Sequence, residues 1–296
     1  MWRNKIHFVV AFFSALALSA NAAAASVNSD KDDNLIRWAG CGITKKAFMA
    51  ELAKAFEAKT GVKVELQGGG ATRGIRDAAA LKVDLGGSCR MNLPGIERSE
   101  LHASLHPVAW DALAIIINKQ NPVNNITTEQ VKGMYLGKIT NWSELGGPDA
   151  PIHLYVRRGK YSGVGYTIRQ YIFQDSATEF ISDYVVKSSG PLEKAIEKDP
   201  LAVGITGISS ARKRNVKIIG FDGKAPTYEN VQSGNYGLYR PLYLVTSPQP
   251  SEHVRDFVAF ARSEEGRKII RANQTVPYKD APHLMSKMLI YGFGVK

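Results

Sequence analysis

The 296-residue chain carries 38 lysines and arginines against 27 aspartates and glutamates, a formal charge of +11. That length suits one large domain or two lobes with substantial cores, and two lobes are the expectation. The basic balance admits an anionic ligand, nucleic acid or an anionic membrane surface, but the scatter of the basic residues and the lack of helix-turn-helix or zinc-finger spacing argue against nucleic acid.

Residues 1–24 read as a secretory signal, with Arg3 and Lys5 ahead of the apolar run Phe8 to Leu18 and a small-residue cleavage site at Ala20-Asn21-Ala22 or the alanines after it. Processing would leave a charge near +9. No later stretch approaches the roughly 20 apolar residues of a spanning helix. No cysteine stands at the cleavage site for a lipid anchor, so the expected product is a soluble, monomeric periplasmic protein.

Leu35 to Ala39 is the first strand candidate. Thr44 to Lys59 follows as an amphipathic helix with Phe48, Leu52 and Phe56 four residues apart on one face. Val62 to Leu66 reads as a strand, Thr72 to Ala80 as a helix opened by Gly68-Gly69-Gly70, and Val83 to Gly86 as a third strand. This alternation predicts an α/β fold with parallel strands under helices. Ala112 to Ile117 is an apolar strand, Thr127 to Tyr135 a capped helix and Pro191 to Lys198 a further helix. Leu201 to Ile205 and Val216 to Ile219 are strands of a second lobe. Pro241 to Val245 is a strand that returns the chain to the first, and His253 to Arg271 is helical, with Phe257, Phe260 and Ile269 as core.

The segment LYVRRGKYSGVGYT, Leu154 to Thr167, runs from a strand through paired arginines into Ser-Gly at a helix start. Free N–H groups of a first helical turn, the positive end of the helix dipole and a guanidinium all favour a small oxyanion there. The alternative is an ordinary strand-to-helix turn with solvated arginines. Three more glycine-bearing turns, Gly40 to Thr44, Gly68 to Arg73 and Gly86 to Arg90, fall at the carboxyl edge of the predicted strands, where ligands of such sheets lie.

These residues resemble the phosphate-binding (PstS-like) proteins that serve bacterial ABC uptake systems. The similar phrases span nearly the whole chain after the signal: TGVKVELQGGGATRGI at Thr60 to Ile75, VDLGGSCR at Val83 to Arg90, VAWDALAIIINKQNPV at Val108 to Val123, LGKITNWSELGG at Leu136 to Gly147 and APTYENVQSGNYGLYRPLYL at Ala225 to Leu244. The resemblance implies a two-lobed type II periplasmic binding fold, with residues 33–112 plus 242–296 as one lobe and 113–241 as the other. The two lobes would close on a dehydrated anion. By position, the family's arginine corresponds to Arg158 and its Ser-Gly-Thr loop to Ser162, Gly163 and Val164, so one hydroxyl is missing. The second turn offers Ala71 for the family's serine, beside Thr72 and Arg73. The first offers Cys41, Gly42 and Thr44, and the third Ser88, Cys89 and Arg90. Cys89 stands where the family carries the acidic residue that accepts the ligand's proton, and a thiol is only a weak acceptor.

Cys41 and Cys89 follow strands that this fold makes neighbours. A disulfide is one reading, worth roughly 4 kcal/mol on the chain-entropy model. A reduced pair holding a soft ligand, such as copper(I) or trivalent arsenic, is the other. The histidines show no zinc spacing and no Gly-x-Ser-x-Gly is present, so no metal, cofactor or catalysis is expected. The leading expectation is a binding protein that hands a small anion such as phosphate to an ABC permease. The alternatives are a sensor or carrier of a soft ligand, read by a membrane partner, and a thiol-disulfide enzyme, against which the lack of C-x-x-C counts.

Overall fold

The computed structural model describes residues 34–291, with side chains up to residue 288. The expected export signal lies outside the described residues. In chain order the strands are β1 (Leu35–Gly40), β2 (Lys63–Gln67), β3 (Leu85–Ser88), β4 (Ser104–Ile117), β5 (Asn125–Ile126), β6 (His153–Arg157), β7 (Tyr184–Val186), β8 (Ala202–Gly207), β9 (Lys217–Phe221), β10 (Tyr239–Thr246) and β11 (Val276–Pro277). Their hydrogen-bonded order is β2-β1-β3-β10-β4-β8-β6-β7, with β11 also on β4 and β9 bridging β4 to β5. This is the two-lobed α/β architecture of the type II binding fold. Parallel pairs lie at its outer strands, and antiparallel pairs lie wherever β4 or β10 takes part.

One strand belongs to both sheets. Ser104 to Ala112 of β4 pairs with β10, and Leu113 to Ile117 pairs with β8 and β9. Beside the changeover, Leu113 N donates to Leu238 O at 2.8 Å, so the two chain crossings are tied together. The sequence pattern suggested a strand only from Ala112, because Pro107 and Asp111 interrupt the apolar run. The structure accommodates Pro107 with a register shift between Leu242 and Tyr243 of β10, a bulge that spares a ladder bond proline could not make.

The first helical segment is continuous through Gly42–Thr44, Lys45–Met49 and Ala50–Thr60, with a π turn in the middle. It buries Ile43, Phe48, Leu52 and Phe56 and stops at Gly61, whose φ of 76° closes the helix. At the other end, His253 to Arg271 is two helices, Glu252–Arg262 and Glu264–Ala272. Ser263 adopts an extended conformation between them and its Oγ accepts from Gly266 N, so a capping serine overrides the apolar period.

Close approach of backbone to backbone sets the geometry around the cleft. The helix Ala71–Ala79 lies so near β3 that a Cβ on Gly74 would come within 2.4 Å of the Gly87 carbonyl oxygen. On the other face of β3, the buried indole of Trp38 covers Gly40 and Gly87, where a Cβ would meet its Cζ2 at 2.5 and 2.3 Å. We expect Gly74→Ala to cost about 1–3 kcal/mol, since neither partner is a flexible side chain. The urea midpoint should fall at unchanged m-value, and an unchanged midpoint would show that the helix can slide away from β3 freely.

Candidate functional site

Four helices aim their N-termini at one cavity between the sheets. Its walls are Cys41, Gly42 and Ile43 from the first helix, Gly70 and Ala71 from the second, Gly163 and Val164 from the helix Gly163–Ile168, and Ser188 and Ser189 from the helix Ser189–Lys198. Each first turn leaves N–H groups without intrahelical partners and brings the positive end of a helix dipole. Cys89 and Arg157 complete the wall, and no carboxylate is part of it. Arg157 Nη1 donates to Ser189 Oγ at 2.7 Å and Nη2 to Lys187 O at 3.0 Å, while its buried Nε has no partner. Electrostatically the cavity is an anion seat.

The seat is about 20 Å³, close to one water's worth of space. It leads outward to a mouth of about 290 Å³ walled in part by Arg76, Arg158, Lys160 and Lys187, a positive funnel that would draw anions in. A separate cavity of about 260 Å³ shares only Cys89 with the seat, is otherwise lined by Arg240, Met91, Tyr166, Tyr171, Tyr243 and Met288 among others, and lacks the converging helix ends.

The residues expected from the sequence are distributed unequally over these spaces. Cys41, Gly42, Ala71, Cys89, Gly163 and Val164 line the seat. Arg158 does not. Strand alternation sends the last residue of β6, Arg157, inward, and the next one, Arg158, out to the exposed rim. Ser162 lies at the mouth with Oγ accepting from Gly165 N at 3.2 Å. Arg73 folds back on Asp77, Gly68 and Gln67 at the surface. Arg90 is consumed by a two-pronged pair with buried Glu100, both bonds 2.9 Å, and by Tyr161 O. Thr72 Oγ1 also donates to Tyr161 O, and Ser88 Oγ closes a turn on Arg90. Thr44 is buried behind the wall, its hydroxyl 2.8 Å from Cys41 Sγ.

Both cysteines are free thiols, so the structure holds no disulfide between them. They line the seat and are 4% and 2% exposed. Parallel pairing of Gly40 with Gly87 and the bond from Cys41 N to Gly87 O, 3.1 Å, bring the two turns together. The interaction with the Cys41 thiol, aided by the charges of Arg240 and Arg157 and opposed by burial, lowers Cys89 to about 6. Burial and then the interaction with Cys89 hold Cys41 well above the ordinary thiol range. The two thiols are thus pushed in opposite directions, Cys89 being the more acidic of the pair.

Two functional elements escaped the sequence reading. The sequence pattern starts this helix at Pro191, whereas the structure starts it at Ser189 with Ser188 as cap, in keeping with Ser-Ser-Gly-Pro as a helix-opening pattern. Arg240 carried no motif. It sits at the crossing with 2% exposure, its Nη1 donating to Gly163 O at 3.0 Å and to Thr167 Oγ1 at 3.2 Å, and its Nη2 3.7 Å from Asp111. Among the described residues no group of three metal-ligating side chains occurs, and no helix is long and apolar enough to cross a membrane.

The family model for the PBP superfamily domain matches residues 29–265. The chain belongs to the PBP superfamily. Within the PBP superfamily it is 25% identical over 287 residues to the phosphate-binding protein PstS of Bacillus subtilis, covering 93% of this chain and 94% of that one. It also matches the crystal structure of a phosphate ABC transporter substrate-binding protein with bound phosphate from Clostridium perfringens, at a TM-score of 0.75 and 29% identity over 82% of this chain and 99% of that one. An ABC-type phosphate transport receptor from Vibrio cholerae matches at a TM-score of 0.62 and 29% identity, over 81% and 99%.

The thiol arrangement yields a direct test. Thiolate ultraviolet absorbance should titrate with a midpoint near 6 for one of the two cysteines. Cys41→Ala removes the neighbouring thiol and should move that midpoint upward. A midpoint that stays put would assign the shift to the arginines alone.

Proposed function

We propose that this protein is a solute-binding subunit of an ABC uptake system that captures a small oxyanion of the phosphate type between its lobes and delivers it to the membrane permease. The observation that carries the reading is the convergence of four helix N-termini and Arg157 on one interlobe seat without a lining carboxylate. Such a site binds by replacing the ion's hydration shell with fixed N–H donors. The phosphate-binding names of the PstS relative and of the structural neighbours support the same ligand class. Export to the periplasm belongs to this reading.

Closure is supplied by contacts between lobes. Lys46 Nζ reaches Glu193 Oε2 at 3.0 Å and Ser210 Oγ at 2.8 Å, Arg90 Nε reaches Tyr161 O at 3.0 Å, and Arg240 holds Gly163 O. A four-oxygen anion exceeds the space of the closed seat, so entry requires the lobes to part and re-close around it. The hinge of that motion is placed at Ala112 to Leu113 and Leu238 to Tyr239, where the sheets change over. Capture rather than catalysis is proposed, since the seat combines donors with no base positioned by a third group.

Arg157→Ala should weaken phosphate binding in calorimetric titration by about tenfold or more, the loss expected for a charge-assisted hydrogen bond. Arg158→Ala should cost far less, since it removes only a rim charge. If Arg158→Ala proved the more damaging with the native fold kept, the ligand would sit in the outer mouth instead.

A further inference from the structure

The seat's wall carries a chemistry that hydrogen phosphate does not use. Two thiols line one cavity of about 20 Å³ at the place where four helix N-termini meet, both buried and neither committed to a disulfide. Gly163 lies against Cys89 so closely that a Cβ there would come within 2.3 Å of Cys89 Sγ. Anything held by both sulfurs is therefore also in contact with the loop that closes the cleft. Around them, Arg157 Nε and the Nε and Nη2 of Arg240 are buried polar atoms with no hydrogen-bond partner, and Arg240 is 2% exposed.

We propose that the paired thiols of Cys41 and Cys89 make the seat a binding site for the trivalent oxyacid of arsenic or antimony, held covalently by both sulfurs with its remaining oxygen on Arg157. Thiols select soft centres over hard ones, which separates this ligand from phosphate. The surroundings separate it from a soft cation. A monovalent metal ion held linearly between two thiolates has no oxygen to offer Arg157 Nε, which lacks a hydrogen-bond partner. The hydroxyl retained on a trivalent centre supplies that acceptor. In arsenous acid, two As–S bonds form and two As–O bonds break. Each departing hydroxide takes a proton, from a thiol or from solvent in place of one already lost, and leaves as water. One As–OH is retained, and no oxidation state changes.

This inference rests on the solute-binding reading, because it uses the same cleft and the same closure. The test takes the full processed protein under a phosphine reductant, with sodium arsenite and inorganic phosphate titrated separately. The expected result is a one-to-one arsenite adduct in native mass spectrometry, with the mass of a centre retaining one hydroxyl. Arsenic X-ray absorption should show two sulfur neighbours and one oxygen. Cys41→Ser and Cys89→Ser, checked for fold by circular dichroism, should each lose affinity on the order of a hundredfold or more, the advantage of making a second bond intramolecularly. The wild-type absorption spectrum decides the matter even if both variants misfold. Phosphate binding without any arsenite adduct, or an adduct with a single sulfur neighbour, would overturn the dithiol site and leave the solute-binding reading intact. Binding of neither ion would remove both readings together.

Discussion

Arg240 carries a charge into the junction of the two sheets, and a charge so placed is costly unless its surroundings compensate. The compensation here comes from three directions. Asp111 on the crossing strand faces it at 3.7 Å and is itself held by Ser209, with bonds of 2.7 Å from the hydroxyl and 3.2 Å from the amide. Gly163 O and Thr167 Oγ1 accept from it at the helix that closes the seat. Cys89 lies in its field, and the two groups favour each other's charged form. Burial alone would lower the pKa of this guanidinium, yet the Cys89 and Asp111 charges raise it. Hinge, closing loop and thiol pair are thus one electrostatic unit, and changing any member alters the charge balance of the others.

The legible part of the molecule was whatever repeats with a period. β1, β2 and the first long helix follow from alternating or four-spaced apolar residues, and the glycine-bearing turns located the edge where the ligand seat lies. Less legible was anything decided by direction rather than type. Arg157 and Arg158 are identical in chemistry and adjacent in sequence, and only the phase of β6 sends one inward. Similarly, Arg90 looks available in the sequence but is bound to Glu100, a partner ten residues on that no local pattern announces. Arg240 is harder still, since its meaning comes from Asp111 and Gly163, 129 and 77 residues away in the chain.

Closure and ligand contact are divided between different residues. Glu193 is fully buried yet gathers Lys46 and Arg214, both at 3.0 Å, together with Thr206 and Ser210, so the latch between lobes is satisfied without help from a ligand. The seat, by contrast, leaves Arg157 Nε and helix-terminal N–H groups to be satisfied by what enters. A latch that is complete in itself favours the closed state for any occupant that fits. Selection then falls to the walls, where Ala71, Val164 and two thiols stand beside Arg157.

Trp38 adds something to this arrangement that has nothing to do with holding the fold. Its indole is wholly buried, has no hydrogen-bond partner for Nε1, and lies against Gly40 and Gly87, the residues one and two positions from the cysteines. Glycine is what permits the contact, since a side chain at either position would push the ring away. The consequence is optical: a chromophore in a dry, fixed setting sits against the backbone that carries both sulfurs, so a heavy atom or a change of charge at the sulfurs falls within reach of its excited state. The molecule comes with its own fluorophore, placed where occupancy would be read.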